Sequence, residues 1–134
     1  MPESIKISVT LPASPKQVYD AWLSSKEHSA FTGEKATGNA KMGSKFTAFG
    51  DYIEGKNIEL KPHKLIVQAW RTTEFPADSG DSKLKLTLEE VKGGTTLTLA
   101  QSNIPKGQGS RYKDGWKEHY FEKMKKYFSE QNKR

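Results

Sequence analysis

The sequence contains no cysteine among its 134 residues. It therefore has no disulfide framework, no thiolate nucleophile and no thiolate metal site, which fits a reducing compartment. No stretch approaches the ~18 apolar residues of a membrane span, and the N-terminal MPESIKISV lacks the apolar core of a signal peptide. We expect a soluble, cytoplasmic protein.

Motifs for catalysis and metal binding are missing as well. No G-x-S-x-G, P-loop or H-E-x-x-H pattern occurs, and the three histidines have no metal-ligand spacing. We expect these histidines to be exposed or hydrogen-bonded: His28, His63 and His119. The few polar residues that can be placed inward are more typical of hydrogen-bonded core groups than of catalysts: Gln68, Gln101 and Tyr120. The sequence predicts no enzyme, no metal and no cofactor.

Basic residues outnumber acidic ones, giving a net charge of +6. Lysines and carboxylates are interleaved along the chain, which favours a solvated polar surface. The aromatic residues lie at core spacing, whereas a platform for stacking bases needs them among arginines. Nucleic acid is therefore a weak alternative. The densest basic group near the C-terminus is the candidate partner surface: Lys123, Lys125 and Lys126.

The C-terminal stretch GWKEHYFEKMKKYF predicts a long amphipathic helix. Trp116, Tyr120, Met124 and Phe128 recur every fourth residue and form one broad aromatic face. Such a helix is marginal alone, so it needs a large apolar surface to lie on. We predict its N-cap at Ser110. Gly115 lies inside it at a cost of about 1 kcal/mol relative to alanine, for which we favour close packing over ligand contact.

Upstream, the first half of the chain begins with a strand and two short helices. Apolar residues alternate from Ile5 to Leu11, the pattern of a half-buried strand. A capping box from Ser14 to Gln17 opens one helix, and a second box from Ser24 to Glu27 opens another. We expect the second helix to bury Ala30 and Phe31.

The middle of the chain predicts a meander of strands. Residues 34–42 form the first, and Gly43 starts the next, followed by a two-residue hairpin turn at Gly50 and Asp51. A change of parity near Lys56 and Asn57 predicts a β-bulge. Alternating strands follow at 65–73, 84–88 and 97–101.

These elements predict one α+β domain spanning residues 1–134. Its antiparallel sheet of about seven strands wraps around the long C-terminal helix, with two short helices after the first strand. Such an arrangement leaves room for a pocket between sheet and helix, and an apolar concave pocket is the usual form of a small-molecule site. Six residues are candidates to line it, with ordinary core packing as the alternative: Phe31, Phe46, Trp70, Phe75, Tyr120 and Met124.

Several segments together carry a resemblance that covers residues 5–128. SPKQVYDAW, HSAFTG, EGKNIEL, IVQAWR, GGTTLTL and GWKEHYFEKMKKYF resemble, in order and spacing, the C-terminal domain of the activator of heat-shock protein 90 ATPase, the Aha family. The resemblance implies the START-like helix-grip fold, the same architecture that the patterns predict. The hairpin departs from the family, reading Gly-Asp where Asp-Gly is usual.

The resemblance implies a co-chaperone of the stress response that binds heat-shock protein 90. Eukaryotic members anchor themselves largely through a separate N-terminal domain, which this sequence does not show, so stimulation of the ATPase is a further expectation beyond binding. The alternative is a hydrophobic small molecule or lipid bound or sensed in the cavity between sheet and helix. A START-like enzyme is the least supported alternative.

Overall fold

The computed structural model describes residues 2–131. Its sheet contains six strands, all antiparallel to their neighbours, in the order β1-β6-β5-β4-β3-β2. The strands are β1 (Glu3–Leu11), β2 (Lys45–Ala48), β3 (Ile53–Lys61), β4 (Leu65–Thr72), β5 (Ser82–Val91) and β6 (Gly94–Ile104). The α+β architecture is confirmed, with one strand fewer than expected.

The C-terminal helix runs without a break from Gly109 to Gln131 but changes its winding. It comprises α3 (Gly109–Gly115), a π-helical segment (Trp116–Phe121) and α4 (Glu122–Gln131). The apolar stripe predicted from the sequence is buried: Trp116, Tyr120, Phe121, Met124 and Phe128. Opposite it, the strands present alternate residues such as Leu84, Leu86, Leu97 and Leu99, so that the buried residues form one cluster between sheet and helix.

The two short helices are α1 (Pro15–Leu23) and α2 (Ser25–Thr32). At the start of α1 the Ser14 side chain accepts from the Gln17 amide N–H and the Gln17 side chain accepts from that of Ser14, which confirms the capping box. Helix α2 ends at Gly33, whose φ of 79° is left-handed. The expectation for Ala30 is wrong: it is exposed, while His28 and Phe31 are buried.

The predicted strand at 34–42 does not form. The segment contributes one isolated bridge, between Thr37 and Thr47. Further along, the Asn57 side-chain amide donates to the carbonyl oxygens of Asn39 and Lys41, so this loop is held by a side chain rather than by a strand ladder. That is why the sheet has six strands and not seven.

The hairpin between β2 and β3 is longer than predicted. Ala48 pairs with Ile53, leaving a four-residue connection in which Phe49 and Gly50 have φ of 52° and 68°. The predicted β-bulge is confirmed, because the register between β3 and β4 shifts between Asn57 and Glu59.

Helix α3 begins one residue before the predicted cap. Gln108 takes the N-cap position without a side-chain bond, so Ser110 is not the cap. Instead the Glu3 carboxylate, on β1, accepts from the backbone N–H groups of Gly107 at 3.1 Å and Gly109 at 2.7 Å. A carboxylate at the start of a helix accepts hydrogen bonds from backbone N–H groups that have no partner within the helix. Its negative charge also interacts favourably with the positive end of the helix dipole.

Candidate functional site

A cavity of about 300 Å³ opens between the first half of the C-terminal helix and the end of the sheet formed by β3 and β4. This volume lies at the lower end of the range for small-molecule pockets. It is lined by Phe49, Tyr52, Ile53, Trp70, Arg111, Tyr112, Gly115, Trp116, His119 and Tyr120. Six of these ten residues are Phe, Tyr or Trp, so the walls present mainly aromatic surface.

The inner wall is held in place by hydrogen bonds as well as by ring packing. The centroid of the Trp116 ring lies 5.4 Å from that of the Trp70 ring and 4.7 Å from that of the Tyr120 ring. Its indole N–H donates to Gln101 Oε1 at 2.9 Å, and Gln101 in turn donates to the Ser82 hydroxyl at 3.0 Å. Because these polar groups are satisfied inside the protein, the ring orientation is fixed before any ligand arrives.

A charged group stands at one side of the cavity. Arg111 Nη1 lies 2.6 Å from Glu74 Oε1, and the Tyr52 hydroxyl donates to the other carboxylate oxygen of Glu74. The bond from Tyr52, followed by the Arg111 charge, lowers the pKa of Glu74. Burial, reinforced by the bond to Glu74, raises the pKa of Tyr52 to about 12. At neutral pH the group is thus a neutral phenol and a carboxylate paired with a guanidinium.

Gly115 lines this cavity, and close packing does not explain it. A Cβ built on Gly115 would have no other heavy atom within 4 Å beyond its own helical surroundings. Its φ of −60° is ordinary helical geometry, which any residue adopts. The packing explanation is therefore wrong, and the absent side chain leaves open space in the cavity wall.

A buried histidine supports the far side of the Tyr120 ring. His28 Nδ1 lies 2.8 Å from the Trp22 carbonyl oxygen, so this nitrogen carries the proton and Nε2 accepts from the Tyr120 hydroxyl at 2.8 Å. Burial lowers the pKa of His28 to about 4 and raises that of Tyr120. This pair is neutral at physiological pH.

The predicted cavity residues lie in three different places. Trp70 and Tyr120 line the cavity, and Phe46 lines a much smaller pocket beside Trp22 and His28. The other three are buried in the core away from the cavity wall: Phe31, Phe75 and Met124. The Phe75 ring centroid lies 6.1 Å from that of Trp70, in an edge-on contact, and 6.0 Å from that of Tyr112, so Phe75 supports the wall from behind.

The polar residues predicted to point inward are hydrogen-bonded core groups. Gln68 accepts from the Trp22 indole N–H and donates to Asn57 Oδ1 at 2.8 Å. Within residues 2–131, no buried side-chain nitrogen or oxygen lacks a partner. The part of the chain that the structure describes also has no cluster of three potential metal ligands and no helix long and apolar enough to cross a membrane.

The three candidate partner lysines differ in their surroundings. Lys123 Nζ donates to the Thr32 carbonyl oxygen at 2.9 Å and so ties α4 to α2. Lys125 and Lys126 are exposed on the outer side of α4.

Sequence reasoning missed much of the cavity lining. Tyr112, Trp116 and Tyr120 are spaced four residues apart, so the helical period could have extended the aromatic face one turn toward the N-terminus. Phe49 and Tyr52 come from the turn between β2 and β3, where no periodic signal exists. The π-helical segment that follows Gly115 is likewise not predicted by any pattern in the sequence.

An antiparallel sheet packed against one long C-terminal helix, with two short helices after the first strand and an aromatic cavity between the layers, defines a helix-grip domain. Within that class, the chain belongs to the Activator of Hsp90 ATPase homolog 1-like family, whose model matches residues 12–129.

Curated relatives agree with this membership. The human activator of 90 kDa heat shock protein ATPase homolog 1 is 31% identical over 124 residues, covering 92% of this chain and 36% of the relative. The homologue from Dictyostelium discoideum is 28% identical over 132 residues, covering 98% of this chain and 34% of the relative. The chain thus spans about a third of the length of these curated relatives.

Among solved structures, an HSP90 activator from Plasmodium falciparum superposes with a TM-score of 0.83. The match covers 92% of this chain and 94% of that one at 23% sequence identity. At this identity the likeness shows the fold alone, and it confirms the helix-grip architecture.

Proposed function

We propose that the chain is a chaperone-associated binding module that contacts heat-shock protein 90 and stimulates its ATPase. One observation carries the proposal: the model of the Activator of Hsp90 ATPase homolog 1-like family matches residues 12–129, nearly the whole domain. Two curated relatives that support it are named as activators of that ATPase. In this proposal the module has no active site of its own. It acts in the cytoplasm by favouring the conformation of the chaperone that hydrolyses ATP.

The contact surface we propose lies on the last helix. Lys125 and Lys126 are exposed, whereas Lys123 is engaged with Thr32 and serves mainly to hold the helix in position. Exposed lysines at the rim of an interface speed association with an acidic partner more than they increase affinity.

A steady-state ATPase assay tests this function. Purified heat-shock protein 90 is titrated with the module, and we expect the rate of hydrolysis to rise to a plateau. The double variant Lys125→Glu/Lys126→Glu should need several-fold more protein to reach that plateau. The variant Lys26→Glu/Lys92→Glu carries the same charge change at exposed sites elsewhere and should behave like the wild type. An unchanged rate at saturating module would contradict the stimulation.

A second candidate function is favoured by Gly115 and the open space beside it. A glycine in helical geometry costs helix stability, and here neither packing nor backbone conformation requires it. We propose that this space, with the aromatic walls around it, accommodates a hydrophobic small molecule or the end of a lipid chain. Trp70 and Tyr120 would contact the ligand directly, with Phe46, Phe31, Phe75 and Met124 supporting them.

Filling the cavity from within tests this second function. The fluorescent probe 1-anilinonaphthalene-8-sulfonate should bind the wild-type protein, and Gly115→Leu should abolish that binding because the new side chain occupies the space. The melting temperature of each variant, measured in parallel, separates loss of the cavity from loss of the fold. Equal probe binding by a folded Gly115→Leu protein would rule the cavity out as the site.

A further inference from the structure

Three lysines form a group on the outer face of the sheet, opposite the C-terminal helix. Lys83 and Lys85 on β5 are exposed, while the alternating Leu84 and Leu86 are buried in the core. Lys6 on β1 is exposed in the same way. All three side chains therefore project from the side of the sheet that the helix does not cover.

Strand register places small residues between these lysines. Ala100 on β6 is the Cα partner of both Lys6 and Lys85, and Ser102 is the partner of Lys83. With strands spaced about 4.8 Å apart, Lys6 and Lys85 flank β6 at a separation of about 10 Å. A shallow groove of about 420 Å³ lies there, bordered by Lys6, Lys83 and Lys85 and floored by Ser4, Ala100 and Ser102.

The three lysines of this groove, Lys6, Lys83 and Lys85, make no ion pair with any carboxylate among residues 2–131. Two nearby acidic residues, Glu59 on β3 and Asp81 just before β5, pair with other cations: Glu59 with Lys61 at 3.7 Å, and Asp81 with Arg71 at 3.0 Å. The groove therefore presents three cationic side chains to whatever approaches it.

We propose that this groove binds an extended acidic segment of a partner protein, lying along β6. Alternate residues of an extended chain are about 6.7 Å apart, the same spacing as Lys83 and Lys85, so carboxylates at every second position can meet both. Ala100 and Ser102 between the lysines let the segment approach the sheet closely. The contact is made through side chains, because the strands beneath already pair with one another.

Two other occupants fit the groove less well. Single-stranded nucleic acid is bound through aromatic or arginine side chains on which bases stack as well as through phosphate contacts, and the groove lining has no such side chain. A second copy of this chain carries a net charge of +6, so like charges oppose its approach. The proposal does not depend on the chaperone assignment, since it concerns another face of the domain.

Fluorescence anisotropy with a labelled octapeptide of alternating glutamate and serine tests the proposal. We expect the wild-type protein to bind it, and the variant Lys6→Gln/Lys83→Gln/Lys85→Gln to bind about tenfold more weakly, since each exposed ion pair contributes modestly. The matched control Lys26→Gln/Lys92→Gln/Lys113→Gln removes the same charge from exposed positions elsewhere and should stay within about twofold of the wild type.

Several results would overturn the proposal. Equal weakening in both triple variants would mean that the peptide senses net charge alone. Absence of binding to the wild type at low salt would mean that the groove has no affinity for such segments. Tighter binding of an oligothymidylate of equal charge at the same salt would identify a nucleic-acid surface instead. None of the three outcomes depends on heat-shock protein 90, so the chaperone proposal is judged separately.

Discussion

The imidazole Nε2 of His28 and the hydroxyl oxygen of Tyr120 lie 2.8 Å apart in the protein interior and join α2 to the C-terminal helix. Both residues are buried, with 7% and 3% of their surface exposed. Because His28 Nδ1 donates to the Trp22 carbonyl oxygen, Nε2 has no proton of its own, and the tyrosine must supply it. The hydrogen bond therefore requires a neutral imidazole.

Folding stability should fall in mild acid. The pKa of His28 is about 4 in the folded protein against 6.5 when unfolded, so the unfolded chain binds more protons between these values. The contribution of neutral His28 to the free energy of unfolding is fully present above pH 6.5. It is lost as the pH falls toward 4, and the total loss is about 3 kcal/mol. Urea unfolding at a series of pH values measures this. His28→Gln should flatten the dependence between pH 6.5 and 5, and an unchanged dependence in this variant would contradict the assignment to His28.

Removing the Tyr120 hydroxyl should be costly although the ring remains. Tyr120→Phe leaves His28 Nε2 buried without a donor, which should lower the free energy of unfolding by about 1–3 kcal/mol. It should also raise the pKa of His28 slightly, because neutral imidazole loses a hydrogen bond that favoured it. Denaturant titration measures the change in the free energy of unfolding. Wild-type stability in the variant would show that the hydrogen bond contributes nothing net.

Two glycines should respond to alanine in opposite directions. Gly115→Ala adds a methyl group in open space and improves helix propensity, so we expect a gain of about 0.5–1 kcal/mol. Gly55→Ala places a Cβ 1.9 Å from the Ala69 carbonyl oxygen on the neighbouring strand, so we expect a loss of about 1–3 kcal/mol or more. Thermal unfolding distinguishes them. A destabilised Gly115→Ala protein would contradict the description of the cavity wall.

The carboxylate of Glu3 should stabilise the start of α3. Its bonds to the Gly107 and Gly109 amides lower its pKa, so this contribution is present above the unfolded value of 4.5 and is lost as the pH falls through the folded value. Glu3→Ala should lower the melting temperature at pH 7. At pH 3 the difference in melting temperature between this variant and the wild type should be smaller. Ser4→Ala, at the exposed neighbouring position, is the control, and an equal effect of both substitutions would argue against the cap.

The sequence was sufficient for the elements whose side chains repeat with a fixed period. Alternate apolar residues predict a strand with one buried face, which is confirmed for Leu84, Leu86 and Leu88. A four-residue apolar spacing predicts a helix with one buried face, which is confirmed from Trp116 to Phe128. The bulge was predictable because Ile53 and Leu60 lie at positions of opposite parity and both contact the core. Ile58, which has the same parity as Leu60, is exposed and does not reach the core.

Features that depend on contacts distant in sequence could not be predicted. Asn39 and Lys41 lie in a stretch with some strand character, but their carbonyl oxygens accept from the Asn57 side chain, which comes much later in the sequence. Glu3 caps a helix more than one hundred residues away in the chain. The charged group beside the cavity also depends on distant contacts. Tyr52 and Arg111 are linked through Glu74, and no local sequence pattern connects the three residues.

Titration of the isotope-labelled protein with purified heat-shock protein 90, followed by amide chemical shifts with and without a non-hydrolysable ATP analogue, tests the proposed function most directly. We predict localised shifts on the exposed side of α4, around Lys125 and Lys126, that grow when the analogue is present. Amides lining the cavity, such as that of Gly115, should be unaffected. No shifts at high chaperone concentration would contradict the role as a chaperone-binding module and would leave the cavity as the better-supported site.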